Sequence, residues 1–504
     1  MRFIRTLLLV IAGTLFLAPY QAIAATKKVI IGFHRAPSAD EKNLVYRTKG
    51  RIKRTHRQIN AISAELPEEE IARLKGDPSV AYVVDNIKFR RIQPAQPLSV
   101  PSPEYVDSWG SLRVGAAVAA ERGFKGAGVK IAIIDSGIDY NHPDLKDNYR
   151  GGFNFVENNA DPYDDDEISH GTHVAGVIAA RNNGTGVVGV APEASLYAIK
   201  VFGANNTGGD METIVAGIEW AIENRMDVIN LSIGYSGDIY AVYPDIFRPL
   251  KDVCEKAQQS GIVLVAAAGN EDREIVSVPA AFDSVIAISA TNETDQRALF
   301  LPPYASSFGA KVELAAPGTN IKSTVRGGGY ALLSGTSQAA PHVAGAVAVL
   351  LSSGVADTNG NGSRADEVRE RLAVTAKDLG ALGRDLYFGW GLVDLAAATA
   401  PVEMYQLHLQ RTGGNANGDI EQVKLHQGVY LVAIKNNGLR KVSGRFLDGS
   451  RWDCDVAFAY SFARGKAQDI RFELSIAVPE TVLEIVPQGL MGTSADVTLT
   501  KITR

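Results

Sequence analysis

The chain is predicted to be α/β: a parallel sheet flanked by helices, preceded by a small α+β domain and followed by a small all-β domain. Three observations predict this. From Val129 to Leu395 short apolar runs alternate with helical patterns, as in a parallel sheet covered on both faces. From Thr26 to Lys88 strand and helix signals alternate over a short span. Beyond Pro401 only short alternating runs remain, separated by Gly, Asn and Asp, which is an all-β pattern.

The elements follow in chain order. In residues 1–25, Arg2 and Arg5 precede an apolar run from Leu7 to Leu17, and Ala22-Ile23-Ala24 supplies a small-x-small pattern. This reads as a secretory signal peptide cut after Ala24 or Ala25; the run is short for a membrane span. No Cys follows the cleavage position, which excludes a lipid anchor there. The expected location is extracellular, or periplasmic in a Gram-negative host. In residues 26–90, Lys28–Phe33 and Ser79–Val84 read as strands, and Leu66–Leu74 as a helix with Pro and acids in its first turn,. The basic cluster from Arg47 to Arg57 reads as a solvated strand face rather than a nucleic-acid patch,. Residues 91–104 are a Pro-rich linker that can form neither a helix interior nor a central strand,, and a natural place for autolytic maturation.

Residues 105–399 carry the alternation. Strands are expected at Val129–Ile134, Ser195–Phe202, Val228–Ile233, Ile262–Ala267 and Val285–Ser289. Helices are expected at Thr172–Ala180, Glu212–Asn224, Leu250–Ser260, Ser337–Leu351 and Ala365–Ala376, with Pro341 an awkward residue for the fourth of these,. In residues 400–504, Val429–Lys435, Val456–Phe462, Asp469–Ala477, Thr481–Val486 and Val497–Ile502 read as strands of a small β-sandwich,.

Composition narrows the function. There are 51 Lys and Arg against 56 Asp and Glu, a formal charge of -5, which argues against nucleic acid as the main partner. Neither Cys254 nor Cys454 sits in a motif with a base, so a cysteine nucleophile is not indicated. The pair is either an interdomain disulfide or, with Cys254 on an apolar helix face, includes a buried thiol.

Three runs, in order and in one domain, read together as one active site: Ile133-Ile134-Asp135-Ser136-Gly137, His170-Gly171-Thr172-His173 and Gly335-Thr336-Ser337-Gln338. A serine hydroxyl is a weak nucleophile until a base removes its proton, imidazole is suited to that near neutral pH, and a carboxylate fixes the imidazole tautomer. Ser337 is therefore the candidate nucleophile, His170 the base and later acid, and Asp135 the orienter. Asn270, after the small residues of Ala266-Ala267-Ala268-Gly269, is the candidate oxyanion donor together with the Ser337 N–H; otherwise it is a turn residue closing a strand.

The chain resembles the subtilisin-like serine endopeptidases (subtilases). The resemblance runs from about Asp107 to about Thr399 and includes His142-Pro143-Asp144-Leu145 and Gly189-Val190-Ala191-Pro192 besides the three runs. It implies an α/β subtilisin-like fold and peptide-bond hydrolysis through an acyl-enzyme on Ser337, acting on proteins or peptides. It implies a zymogen, with residues 26–90 as an intramolecular inhibitor, including Asp77-Pro78-Ser79-Val80-Ala81-Tyr82-Val83. Substrate edges are implied at Ser232, Ile233 and Gly234 and around Thr207 and Gly208. Met211, Ile214 and Ile233 match an apolar pocket for the fourth residue before the cut, and Ser277 matches the base of the primary pocket. Broad specificity with apolar or aromatic preference follows, with Glu271 and Glu274 able to admit basic residues.

The resemblance also implies structural calcium, held by Asp144 and Asn183 side chains and the carbonyls of Arg181, Thr185 and Val187; because Tyr105, near the expected further ligand, is a poor one, the site is either weakened or completed by Glu104 or Asp107. The acids Asp161, Asp164, Asp165, Asp166 and Glu167 read as a solvated loop. Asp357-Thr-Asn-Gly-Asn-Gly362 opens like a calcium loop but has Val368 where the final acid belongs,; it is either a site using Asp366 or Glu367, or a turn into a helix. Tyr235–Phe247 is longer than the family pattern, and is either a subsite wall or a packed surface loop. A monomeric endopeptidase is expected. The competing readings are a binding protein that retains the scaffold without turnover, and a processing enzyme with one natural substrate.

Overall fold

The computed structural model describes residues 26–91, 104–204, 207–381 and 383–400, together with six backbone strands between 404 and 502. The signal-peptide segment, most of the Pro-rich linker and Cys454 lie outside the described residues. The chain divides into two units: residues 26–55 and 60–85 in the first, and residues 56–59 with everything from 86 onward in the second.

The first unit runs β1 (Thr26–Phe33), α1 (Ala39–Arg47), β2 (Arg51–Thr55), β3 (Ala61–Pro67), α2 (Glu68–Lys75) and β4 (Val80–Asp85). Its antiparallel sheet has the order β2-β3-β1-β4. Val29, Ile31, Ile62, Leu66 and Leu74 are among the residues of its own core. Helix α1 opens with a capping box, Ser38 accepting from a backbone N–H while Glu41 accepts from the Ser38 N–H at 2.9 Å,.

The second unit begins with β5 (Arg90–Arg91) and the short helices α3 (Glu104–Asp107), α4 (Trp109–Arg113) and α5 (Ala116–Glu121). Next come β6 (Lys130–Asp135), β7 (Tyr149–Asn154), α6 (His170–Ala179), β8 (Ser195–Lys200), α7 (Met211–Glu223), β9 (Val228–Leu231), β10 (Ile233–Gly234), α8 (Gly237–Val242) and α9 (Arg248–Gln259). They are followed by β11 (Val263–Ala267), β12 (Val285–Thr291), β13 (Val312–Pro317), β14 (Ile321–Val325), β15 (Gly329–Leu333), α10 (Thr336–Ser352), α11 (Ala365–Thr375) and α12 (Leu395–Ala398). The central sheet has seven strands in the order β13-β12-β11-β9-β6-β8-β7, all paired in parallel. Strands β9, β11 and β12 are buried throughout, as expected for a sheet with both faces covered. Ligands of such sheets bind beyond the carboxyl ends of the strands. Asp135 ends β6, and Asn270 follows β11 by three residues.

Two strands of the central sheet were not anticipated, and both are its edges. Strand β7 contains Gly151 and Gly152 and reads as a loop. A Cβ at Gly152 would lie 1.9 Å from the Ala198 carbonyl oxygen, so close strand approach requires that glycine. Strand β13 ends in Pro317, tolerable where no further strand follows,. The backbone strands β16 (Met404–Gln410), β17 (Glu421–Asn437), β18 (Lys441–Leu447), β19 (Val456–Ser461), β20 (Gln468–Gln488) and β21 (Ser494–Ile502) form one six-stranded sheet, order β16-β21-β17-β20-β18-β19. The apolar runs expected at 469–477 and 481–486 are parts of the single strand β20. Among the described residues no helix is long and apolar enough to cross a membrane.

Candidate active site

Asp135, His170 and Ser337 come from β6, α6 and α10, and all three are fully buried. His170 Nδ1–H donates to the Asp135 carboxylate, 2.8 Å from Oδ1 and 3.0 Å from Oδ2. Asp135 Oδ1 also accepts the Ser136 N–H at 2.7 Å. With Nδ1 committed, Nε2 is left as the basic nitrogen, buried and without a hydrogen-bond partner in the structure. Such bonds are often loose before substrate binds.

Ser337 is placed by a device that its own run does not reveal. Pro341 lies four residues on, inside α10, and has no N–H for the Ser337 carbonyl. The Ser232 hydroxyl donates to that carbonyl at 2.8 Å, and Asn230 Nδ2 donates to the Ser232 hydroxyl at 3.0 Å. Ser337 Oγ donates to the Ser232 carbonyl at 3.2 Å. The bond lost to proline thus becomes a tie between the helix start and the end of the β9–β10 segment.

Asn270 is oriented from its oxygen end. Oδ1 accepts both the Thr336 N–H and the Thr336 hydroxyl at 2.9 Å. That turns the amide nitrogen toward Gly335, where an added Cβ would lie 2.9 Å from it. Gly335 is therefore glycine because a side chain would fill the space before the Asn270 amide. Gln338 is completely buried beside this space, and both its amide atoms lack partners. Sequence reasoning assigned it no role.

The acids before His170 divide: Asp161 and Glu167 are exposed, as expected of a solvated loop, whereas Asp164 and Asp166 are buried, contrary to that expectation. Asp166 accepts the His170 N–H at 3.2 Å, and Asp164 accepts the Thr172 N–H at 3.0 Å and its hydroxyl at 2.6 Å. They cap α6, whose first N–H groups lack partners within the helix. Burial pushes the Asp164 carboxyl up to about 6, against the pull of the Thr172 bonds. Lys200, 2 % exposed, donates to the Ser136 carbonyl and to Asp165, both at 2.6 Å. His173 and His342 are structural. Burial pushes His173 down to about 3, and its Nε2–H donates to the Ile321 carbonyl at 2.9 Å. Burial likewise lowers His342 to about 4, with Nδ1–H on the Gln338 carbonyl at 2.7 Å.

The expected substrate edges separate on inspection. Ile233 and Gly234 pair antiparallel with β5, so this edge accepts an added strand. Met211 and Ile214 are buried on α7, and Ser277 is 3 % exposed with its hydroxyl near Gly269. Thr207 is exposed and closes its own turn, N–H and hydroxyl both on the Ala204 carbonyl.

Asp144 and Asn183 are together, Asn183 Nδ2 donating to Asp144 Oδ1 at 3.0 Å. Asp144 Oδ2 accepts from Tyr330 at 2.9 Å and from the Val187 N–H at 3.3 Å. Burial and the Asp144 carboxylate raise the Tyr330 phenol. Glu104 Oε1 reaches the same 181–187 loop, accepting the Asn183 and Thr185 N–H groups at 2.9 and 2.7 Å. Asp107 is instead paired with Lys322. Side-chain and carbonyl oxygens of this kind fit a hard cation such as calcium, although among the described residues no group of three or more His, Cys, Asp or Glu converges on one point. The 357–367 segment closes on itself: Asp357 accepts the Gly360 and Gly362 N–H groups, and Asp366 accepts the Asn359 and Asn361 amides. Cys254 is a buried free thiol raised by burial.

The Subtilase family profile matches residues 126–391. The chain belongs to the subtilase family. It is 44% identical over 381 residues to "Subtilisin NAT" of Bacillus subtilis subsp. natto, covering 74% of this chain and 90% of that protein. Identity and coverage are the same for "Subtilisin E" of Bacillus subtilis (strain 168). "Minor extracellular protease Epr" of the same strain is 36% identical over 379 residues, spanning 74% of this chain and 54% of the relative. The subtilase is a serine-type endopeptidase.

Proposed function

We propose that Ser337, His170 and Asp135 perform this hydrolysis, with Asn270 Nδ2 and the Ser337 N–H as oxyanion donors. The observation that carries it is His170 Nδ1 held on both oxygens of Asp135, beside a serine at a helix start. Ser337 Oγ attacks the substrate carbonyl and His170 Nε2 takes its proton. Negative charge gathers on the carbonyl oxygen, where the Asn270 amide and the α10 N-terminus favour it. The C–N bond breaks, the amine leaves with the proton from His170, and water repeats the sequence on the acyl ester.

The substrates are proteins and peptides, taken as an added strand on the Ile233–Gly234 edge,. Specificity is broad with apolar or aromatic preference, set by Met211, Ile214, Ile233 and the Ser277 pocket, and Thr207 and Gly208 flank the opposite edge. The enzyme is exported as a zymogen whose residues 26–90 act as inhibitor, and the extracellular name of one relative supports export. Calcium supports the fold through Asp144, Asn183, Glu104 and the carbonyls of Arg181, Thr185 and Val187. When bound it neutralises these carboxylates and braces the loop; chelation is then expected to lower Tm in proportion to the binding free energy lost.

The test is casein hydrolysis by the full-length chain and its Ser337→Ala variant in excess calcium. Wild type is expected to shorten and digest casein, while the variant stays full length and loses about a million-fold in kcat, as when a triad nucleophile is removed in this family. A folded wild type that neither digests casein nor reacts with a serine-directed phosphonate would favour the binding-protein reading.

A further inference from the structure

One buried side chain beside Ser337 makes none of the hydrogen bonds open to it. Gln338 is the third residue of α10 and is completely buried, and neither its Oε1 nor its Nε2 has a hydrogen-bond partner in the protein. Its root is fixed on both sides. The Gln338 N–H donates to the Gly335 carbonyl at 3.1 Å, and the Gln338 carbonyl accepts from His342 Nδ1 at 2.7 Å. The helix thus holds the amide in place while the amide itself bonds to nothing. A buried amide without partners costs stability, and an apolar side chain of the same length would remove that cost. An unsatisfied group kept in a packed site calls for a use.

The space that Gln338 borders is the one before Asn270. A Cβ added at Gly335 would lie 2.9 Å from Asn270 Nδ2, 3.1 Å from Gln338 Oε1 and 3.7 Å from the Ser337 nitrogen. Three groups converge on one small volume that glycine keeps open. Two of them are the oxyanion donors proposed above. The third presents an oxygen, which would repel a negative oxygen placed there. A half-turn about Cγ–Cδ exchanges Oε1 for Nε2. That torsion is broad and two-fold in glutamine, and with neither end bonded the exchange breaks no hydrogen bond,. The turned amide presents an N–H to the same volume.

We propose that Gln338 is a further catalytic residue: its Nε2–H donates to the substrate carbonyl oxygen as that oxygen becomes negative, beside Asn270 Nδ2 and the Ser337 N–H. When Ser337 Oγ bonds to the carbonyl carbon, the electron pair of the carbonyl π bond moves onto the oxygen, and it returns when the amine leaves. No proton passes through Gln338. The same oxygen turns negative again when water attacks the acyl ester, so the donor acts in both halves of the reaction. A bond made only to the charged oxygen lowers the barrier without tightening substrate binding, and in a buried place it acts more strongly than it would in water. The inference rests on the endopeptidase reading above and adds one donor to it.

The test compares wild type with Gln338→Met, a side chain of like length without a donor. The probes are a peptide amide, the matching ester, and a peptide aldehyde whose adduct on Ser337 carries the same oxyanion. In the variant, kcat is expected to fall roughly 10- to 100-fold on both substrates with the amide KM little changed. The aldehyde Ki is expected to rise by a similar factor, and Tm to hold or rise because the unpartnered amide is gone. A loss on the amide alone would place Gln338 against the leaving group. An unchanged rate, or a lost rate with an unchanged aldehyde Ki and a lower Tm, would make it structural. Each of these overturns the proposal, while hydrolysis by wild type leaves the endopeptidase reading standing. Should Gln338→Met not fold, a crystal structure of wild type labelled at Ser337 by a peptide phosphonate decides. The phosphonyl oxygen is expected within about 3 Å of Gln338 Nε2, and a gap above about 3.5 Å overturns the proposal. A wild type that hydrolyses neither substrate and takes no phosphonate overturns both readings.

Discussion

The starts of α6 and α10 face the same chemistry and are built in opposite ways. Two of the first three N–H groups of α6 end on carboxylates, Asp166 for His170 and Asp164 for Thr172, while that of Gly171 ends on the Ser136 hydroxyl. Helix α10 has no acid in its first turn, and its Thr336 N–H ends on the neutral oxygen of Asn270. Helix N-termini carry partial positive charge. At α6 that charge is offset by acids. At α10 it is left available to a negative oxygen, which is what the proposed oxyanion role of Asn270 needs. Capping chemistry sets the difference between two termini of the same kind.

Among residues that carry no reacting atom, the largest expected effect is at Asn270. Asn270→Ala leaves α10 without its neutral cap, and kcat is expected to fall by about 10²–10³ with KM little changed, as for oxyanion-hole amides in this family. A loss seated in KM would argue that Asn270 only shapes the turn. Gln338→Glu makes α10 resemble α6. A buried carboxylate beside the oxyanion position is expected to lower kcat roughly 10- to 100-fold at high pH, with activity recovering as the new acid is protonated; a flat pH profile would break the comparison.

Stability against pH sets a histidine on each helix against the acid that caps α6. His173 and His342 are held below the ordinary histidine value of 6.5, so their contribution is present above about pH 6.5 and is lost as pH falls toward 4 and 3. Asp164 is held above its ordinary 3.8, so its protonation favours the fold as pH falls through about 6. Two histidines outweigh one acid, and urea unfolding of the Ser337→Ala protein is expected to show a net loss of about 2–3 kcal/mol from pH 7 to pH 5. Unchanged stability would contradict it.

The smallest effect is expected for Pro341→Ala, which returns an N–H to compete with Ser232 for the Ser337 carbonyl. A few-fold change in kcat and less than about 1 kcal/mol in urea stability are expected; a loss like that of Asn270→Ala would make the tie to Ser232 far more important than its geometry indicates.

Much of the site was legible because its signals are local. Asp135 ends an apolar run and Ser337 begins a helical one, and hydrophobic period alone marks both boundaries,. The five interior strands were legible for the same reason, whereas β7 and β13 read poorly because their pairing partners lie elsewhere in the chain. Within the 161–167 acids, Asp164 and Asp166 were misread because acidity suggests solvent, and only the fold brings α6 onto them.

By itself the sequence determined the α/β order and singled out Asp135, His170, Ser337 and Asn270 as candidates, since each signal depends on residues adjacent in the chain. The tertiary structure alone decided that Ser232 takes the carbonyl Pro341 leaves open, that Glu104 rather than Asp107 reaches the 181–187 loop, and that Phe89 lies among Tyr235 and Phe247. These are contacts between segments up to 158 positions apart. Hydrogen bonding and ring packing act through space, and periodicity along a chain carries no record of which distant partner will arrive.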